Sequence, residues 1–248
     1  MTDTHVKFHS PPSDIKLTDG FIDIWLGKLD QPDETIQSLM KSLSNSEINR
    51  AVKYRLDRDK NRFIVGRGIL RDIIGRYLNM EPHVINFQYG KFGKPYLPDS
   101  YSDKKIKFNL AHSRGIAIYA FVSEKEIGVD VECVREMPDV DYIADSFFSS
   151  PEVSALRSVS EDQKQEAFFN CWTRKEAYIK ALGDGLTHSL DQFSVSLIPG
   201  EEPKILEIKN SPNPEKWSLR AFKTEDNYIA AVAVENCKRD MRFWKWKQ

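Results

Sequence analysis

Glu126 to Glu132 reads EIGVDVE, with Ile127, Val129 and Val131 alternating with Gly128, Asp130 and Glu132. A period of two marks a half-buried β-strand. Side chains at i and i+2 of a strand share a face, with Cα atoms roughly 6.5–7 Å apart. Asp130 and Glu132 therefore converge on one region of space. Taken alone the stretch has two readings: a strand with a solvated acidic face, or two carboxylates gathered for a hard cation.

The run that this strand opens repeats the order of the run before it. In the first, Phe21 to Leu26 (FIDIWL) alternates as a strand, and helices are expected over 33–43 and 45–57. Asp57 to Leu78 is a long amphipathic helix, with Phe63, Ile64, Ile69, Leu70, Ile73, Ile74 and Tyr77 at helical spacing. A strand (VINFQYG), a Gly-Lys-Pro turn and two strands, KIKFNLAHS and GIAIYAFV, complete it. After Glu132 come shorter helices around 140–158 and a long helix over about 162–182 that Gly183 can cap. Strand candidates follow at 192–198, 203–209, 217–223 and 228–234. The fold class is α+β: two similar halves, 1–123 and 124–248, packed face to face with a cleft between them, the usual place for a ligand.

Composition narrows the function classes. The chain has 248 residues, 40% hydrophobic and 29% charged, enough for a real core. Lys plus Arg is 36 and Asp plus Glu is 37, so a net charge of −1 argues against a global grip on nucleic acid or an anionic membrane. Any polyanion must be held by a local basic cluster. Three widely spaced cysteines, Cys133, Cys171 and Cys237, form no C-x-x-C and fit a reducing cytoplasm. The opening MTDTHVKFHSPP has no apolar core for a signal peptide, and no run approaches the ~20 apolar residues of a membrane span. The first twenty residues read as a loosely ordered lead-in, and RFWKWKQ as an amphipathic tail lying on the body.

The second long helix contains CWTRKEAYIK, Cys171 to Lys180, in which Trp172, Glu176 and Lys180 form one stripe. That stripe reads either as a surface Glu–Lys pair beside a core tryptophan or as a third carboxylate brought to Asp130 and Glu132. Three carboxylates at one point repel unless a cation joins them, and an all-oxygen set favours Mg²⁺ or Mn²⁺. Magnesium commonly binds substrate phosphates, so basic groups are needed as well. His112 at the end of NLAHS, Lys94 in the FGKP turn and the stretch from Arg50 to Arg62 are available, each otherwise an ordinary structural or solvated residue. GRGILRDIIG misses the G-x-G-x-x-G spacing and lies inside a helix, and no Walker-type loop is present.

FGKPYLP, FNLAHS, IGVDVE and WTRKEAYIKALGDGL, in this order, strongly resemble the Sfp-type (surfactin-synthetase-activating) 4'-phosphopantetheinyl transferases over about residues 45–198. The resemblance implies two α+β halves related by pseudo-two-fold symmetry, with coenzyme A in the cleft. It implies transfer of phosphopantetheine to a serine of an apo carrier protein, releasing adenosine 3',5'-bisphosphate. Asp130, Glu132 and Glu176 would surround Mg²⁺. Lys175 and Lys180 would contact the diphosphate, with Lys180 at the leaving oxygen. Lys94 and His112 would hold the 3'-phosphate end and adenine, and Glu176 or a metal-bound hydroxide would take the serine proton. Two departures bear on the 3'-phosphate: Ala111 stands where serine occurs in the family, and Glu47 aligns with a phosphate-contacting lysine, leaving Arg50 to fill the basic role. The resemblance covers carriers of fatty-acid, polyketide and nonribosomal peptide biosynthesis alike. The carrier is expected to dock near Val134, Arg135 and Met137, just beyond Glu132, and the chain to work as a monomer. A non-catalytic coenzyme A or nucleotide-binding regulator on the same fold is the alternative.

Overall fold

A computed structural model describes residues 4–101, 105–183, 189–209, 213–224, 227–236 and 239–247. In chain order the elements are β1 (Thr4–His5), β2 (Phe21–Lys28), α1 (Asp33–Met40), α2 (Asn45–Ala51), α3 (Asp57–Leu78), a small hairpin of β3 (Gln88–Tyr89) and β4 (Pro95–Tyr96), β5 (Ile106–Ser113) and β6 (Ile116–Ser123). Then come β7 (Ile127–Cys133), α4 (Val140–Phe147), α5 (Ser150–Ser158), α6 (Glu161–Leu182), the pair β8 (Phe193–Val195) and β9 (Ile205–Ile208), β10 (Trp217–Lys223), β11 (Tyr228–Glu235) and β12 (Asp240–Lys245).

The two halves repeat one topology. Each has a strand, a long helix and an antiparallel hairpin that returns beside the strand, in the orders β2-β6-β5 and β7-β11-β10. The sheets meet face to face through Ile22, Ile24, Ile118, Ala120 and Val122 on one side and Ile127, Val129, Val131, Ala230 and Val232 on the other. The opposite face of each sheet packs on helices: Trp25, Tyr119 and Phe121 against α3, and Ile229, Ala231 and Ala233 against α6. The result is helices, sheet, sheet, helices, which is the α+β class expected from the alternating and helical periods.

The chain ends are exchanged between the halves. β1 pairs parallel with β10, and β12 pairs parallel with β2. The residues read as a loose lead-in are therefore packed: Ile15 and Leu17 are buried, and Val6 and Phe8 lie on the inter-sheet core. The tail read as amphipathic is a sheet strand. Its Arg242 donates to both oxygens of the fully buried Asp23 at 2.6 and 2.8 Å, which also accepts from the Tyr77 hydroxyl at 2.7 Å. A buried carboxylate is stable only with such a set of donors. Residues 84–90, expected as one strand, begin at the end of a 3₁₀ turn, Pro82–Val84, and form only the two-residue β3. Among the described residues no helix is long and apolar enough to cross a membrane.

Candidate active site

Alternation along β7 sorts its side chains. Ile127, Val129 and Val131 enter the inter-sheet core, so Gly128, Asp130 and Glu132 turn toward α6. Gly128 is where strand and helix touch. A Cβ there would lie 2.1 Å from the Ala177 carbonyl oxygen and 2.3 Å from the Ala181 nitrogen. Two residues on, Asp130 meets the helix: its Oδ1 accepts from Lys180 Nζ at 2.6 Å. Its Oδ2 is buried with no hydrogen-bond partner among the described residues. Burial pushes the Asp130 carboxyl up to about 7 against the pull of Lys180, and Glu132 and Glu176 add to the rise. Glu176 is raised for the same first reason, with Lys180 opposing and Glu132 adding.

The neighbouring strand β5 explains two residues to which the sequence reading gave no role. Asn109 Oδ1 accepts from the Val129 N–H at 2.9 Å and pins the free edge of β7. Ser113 Oγ donates to Glu132 Oε2 at 2.7 Å and fixes that carboxylate beside the site. The asparagine and serine of FNLAHS thus act on the strand that carries Asp130 and Glu132. Ala111 lies in the core between the sheets, so its missing hydroxyl is not one that faced the cleft.

The cleft between the halves is a pocket of about 340 Å³, and a second pocket of about 340 Å³ within the first half adjoins it. Arg50, Arg67, Leu110 and His112 line both, and Lys94, Asn109, Glu176 and Lys180 line the one toward α6. Arg50 lies over the Phe63 ring, 5.3 Å from its centroid. Arg67, missed in the sequence, is buried with Nη1 unpartnered among the described residues. Its signal lay in the GRG stretch: an arginine flanked by Gly66 and Gly68 on a helix face that packs closely. A Cβ at Gly68 would come within 2.6 Å of Leu39 Cβ. His112 is held below its usual pKa, first by desolvation against the cleft wall and then by Lys180.

Three expectations need correction. Lys175 does not line the cleft. Its side chain is fully buried, with Nζ 2.7 Å from Glu152 Oε2 and donating to the Phe193 carbonyl at 2.6 Å, because one helical step turns it away from β7. Lys94 lines the cleft as expected, but its ammonium is engaged by backbone. Its ammonium donates to the carbonyls of Ile127 (3.0 Å), Lys180 (2.7 Å) and Ala181 (3.4 Å), tying the end of α6 to β7. Glu47 is buried and does not line the cleft: it closes the capping box of α2 with Ser44 and pairs with Arg71 at 2.7 Å, while Arg50 on the same helix faces the cleft. Of the residues expected to meet the carrier, Arg135 is exposed, with its guanidinium over Phe169, whereas Val134 and Met137 are half-buried against the second core, which gives them a part in folding.

The Lys94 tie gives a measurable pH effect. Burial pulls its ammonium down to about 8. Between that value and the unfolded value near ~10.4 the unfolded chain keeps a proton that the folded chain has lost, so this group adds stability as pH rises through the interval, by at most roughly 3 kcal/mol. Urea unfolding of the parent and Lys94→Met from pH 7 to pH 10.5 should show the difference between them shifting toward the parent with rising pH. A pH-independent difference would place the ammonium in water.

Asp130, Glu132 and Glu176 fit a hard cation by their chemistry: oxygen donors only, one of them a buried carboxylate oxygen with no other partner. Among the described residues no three such groups are gathered around one point.

Residues 126–233 match the family model described as the 4'-phosphopantetheinyl transferase superfamily, and residues 30–124 match the 4'-phosphopantetheinyl transferase N-terminal model. The 4'-phosphopantetheinyl transferase HetI of Nostoc is 38% identical over 98% of this chain and 99% of that protein. The 4'-phosphopantetheinyl transferase Sfp of Bacillus subtilis is 30% identical over 83% of this chain and 89% of that one. A solved holo-[acyl-carrier-protein] synthase of Thermotoga maritima overlaps 46% of this chain and 64% of that one at 21% identity and a TM-score of 0.35, a partial likeness that adds nothing to the assignment. The chain belongs to the 4'-phosphopantetheinyl transferases.

Proposed function

We propose that this enzyme moves the 4'-phosphopantetheine group from coenzyme A to a serine of an apo acyl, peptidyl or polyketide carrier protein, with Mg²⁺, releasing adenosine 3',5'-bisphosphate. The observation that carries the reading is one cleft with Arg50, Arg67 and His112 on its first-half wall and Glu176 and Lys180, paired with Asp130, on its second. The first set suits the 3'-phosphate, and the second suits a diphosphate and its charge. Asp130, Glu132 and Glu176 would hold the cation, which when bound supplies neutralisation of the diphosphate charge.

In the step itself the serine oxygen bonds to the phosphorus that bears pantetheine, and the bond from that phosphorus to the bridging oxygen breaks. Glu176, whose carboxyl burial has already raised, takes the serine proton. Lys180 stabilises or protonates the departing oxygen, which requires it to leave Asp130 as the substrate arrives. The carrier approaches beside Glu132, where Arg135 offers a cation to an acidic helix.

Incubation with coenzyme A, Mg²⁺ and an apo carrier, read by intact mass, should show the phosphopantetheine adduct and should lose it in excess chelator. Binding of coenzyme A without an adduct on carriers of all three pathways would favour a regulator instead. Substituting His112→Ala should weaken coenzyme A roughly tenfold or more by calorimetry, the range of a hydrogen bond to a charged group, and 3'-dephospho-coenzyme A much less. Equal losses for both ligands would move His112 away from the 3'-phosphate.

A further inference from the structure

We propose that the buried Glu152–Lys175 pair is a positioning clamp for the transfer step, setting how α6 presents Glu176 and Lys180 to Asp130. The inference rests on the function proposed above. Both side chains are essentially out of solvent, 1% and 0% exposed, and Nζ lies 2.7 Å from Glu152 Oε2. The same oxygen accepts from the Ser149 N–H and hydroxyl, each at 2.8 Å, closing the capping box of α5. Oε1 accepts from the Val195 N–H at 2.8 Å, and Lys175 donates to the Phe193 carbonyl at 2.6 Å. The start of α5, the middle of α6 and the strand β8 are thus joined at one point, and Glu176 is the next residue of α6.

The first half carries the same device. Glu47 closes the capping box of α2 with Ser44, and its carboxylate receives Arg71 of α3 at 2.7 Å, with side chains 3% and 2% exposed. Arg71 also donates to the carbonyls of Pro82 and Ile85 at 3.0 and 2.7 Å. In each half a short helix is tied through its own capping carboxylate to a buried cation of the long helix. Each tie also stands within a turn of cleft residues: Glu47 and Arg71 beside Arg50 and Arg67, Lys175 beside Glu176.

Physics argues for positioning over stability. Removing two charges from water costs about what their attraction returns, so a buried pair is commonly matched or bettered by apolar residues of similar size. What the pair adds is direction, because its bonds are satisfied in one arrangement only. An apolar replacement would let α6 rotate or slide slightly, and a displacement of about 1 Å can cost roughly a hundredfold in rate.

The test compares Glu152→Leu/Lys175→Met, Glu152→Asp and Lys175→Arg with the parent, by steady-state transfer and by hydrogen exchange of α6. The double variant should stay folded, keep its KM for coenzyme A within twofold and lose at least tenfold in kcat. Lys175→Arg, which installs the cation of the first-half clamp, should keep most of kcat. Glu152→Asp, which keeps the charge but shortens the tie, should lose kcat without a matching loss of stability. Amides of residues 173–181 should exchange faster in the double variant and as in the parent in Lys175→Arg. Parent kcat in a folded double variant would overturn the proposal, and so would a loss confined to KM. Should the double variant not fold, Glu152→Asp decides by the same split. A parent inactive on every carrier would count against the function, while the exchange comparison still decides the clamp: unchanged protection in the double variant and in Glu152→Asp overturns it.

Discussion

Asp130→Ala will lower phosphopantetheine transfer by at least about 10²–10³-fold, the range seen when a group that stabilises transition-state charge is removed. The metal-free variant will nevertheless unfold at higher urea than the parent above pH 7. The activity half follows from placement. Asp130 is the buried carboxylate of the strand, with one oxygen on Lys180 and the other unpartnered among the described residues. It is the group with most to gain from a cation and the one that holds Lys180 in place before substrate arrives. The stability half follows from burial, which raises the carboxyl to about 7. Between the unfolded value near ~3.9 and that pH the folded chain binds the extra proton, so ionisation of Asp130 destabilises the fold progressively, by up to about 4 kcal/mol once complete. Alanine removes that penalty. It leaves Lys180 unpaired, but that side chain is 30% exposed and can return to water, so the loss on its side is small. Transfer near the parent rate would remove Asp130 from the chemistry, and lower stability of the variant at pH 8 in chelator would show that its carboxylate is compensated in the fold.

How far the sequence carried this reading depended on where the signal lay. The alternation of EIGVDVE and the helical spacing of CWTRKEAYIK are local patterns, and each carries one face of the candidate site, so Asp130, Glu176 and Lys180 are legible as candidates, and the structure adds the Asp130–Lys180 contact. The exchanged terminal strands could not, because a parallel pairing of β12 with β2 joins opposite ends of the chain and leaves no local period. The place of Lys175 is hidden for a related reason. It neighbours Glu176 in sequence, but one step around a helix is a turn of about 100°, enough to carry it from the cleft to the core. Lys94 was placed in the right turn, yet its ammonium is held by carbonyls that no motif announces. Arg67 was hidden by its neighbours, since Gly66 and Gly68 drew attention to a phosphate-loop spacing they do not have, when their use is close helix packing.

The glycine of EIGVDVE carries the largest expected effect on the fold. Gly128→Ala should cost about 3 kcal/mol or more, at or beyond the usual upper end for adding one methyl to a packed core. The reason is what the methyl meets. Its nearest neighbours would be the Ala177 carbonyl oxygen at 2.1 Å, the Ala181 nitrogen at 2.3 Å and the Lys180 carbonyl carbon at 2.8 Å, all backbone atoms of α6. Backbone within a helix cannot rotate aside, so the whole helix must lift from the strand. Gly27 on β2 makes the control. A Cβ there lies 2.9 Å from Ile69 Cδ1, the end of a flexible side chain that can turn away, so Gly27→Ala should cost clearly less. Lifting α6 also separates Glu176 and Lys180 from Asp130, so the folded fraction of Gly128→Ala should transfer at least tenfold more slowly per molecule than Gly27→Ala. Urea midpoints for the two variants, with kcat measured where each is fully folded, check both parts. Equal midpoints would mean that helix and strand are not in the close contact that brings the carboxylates of β7 to the stripe of α6.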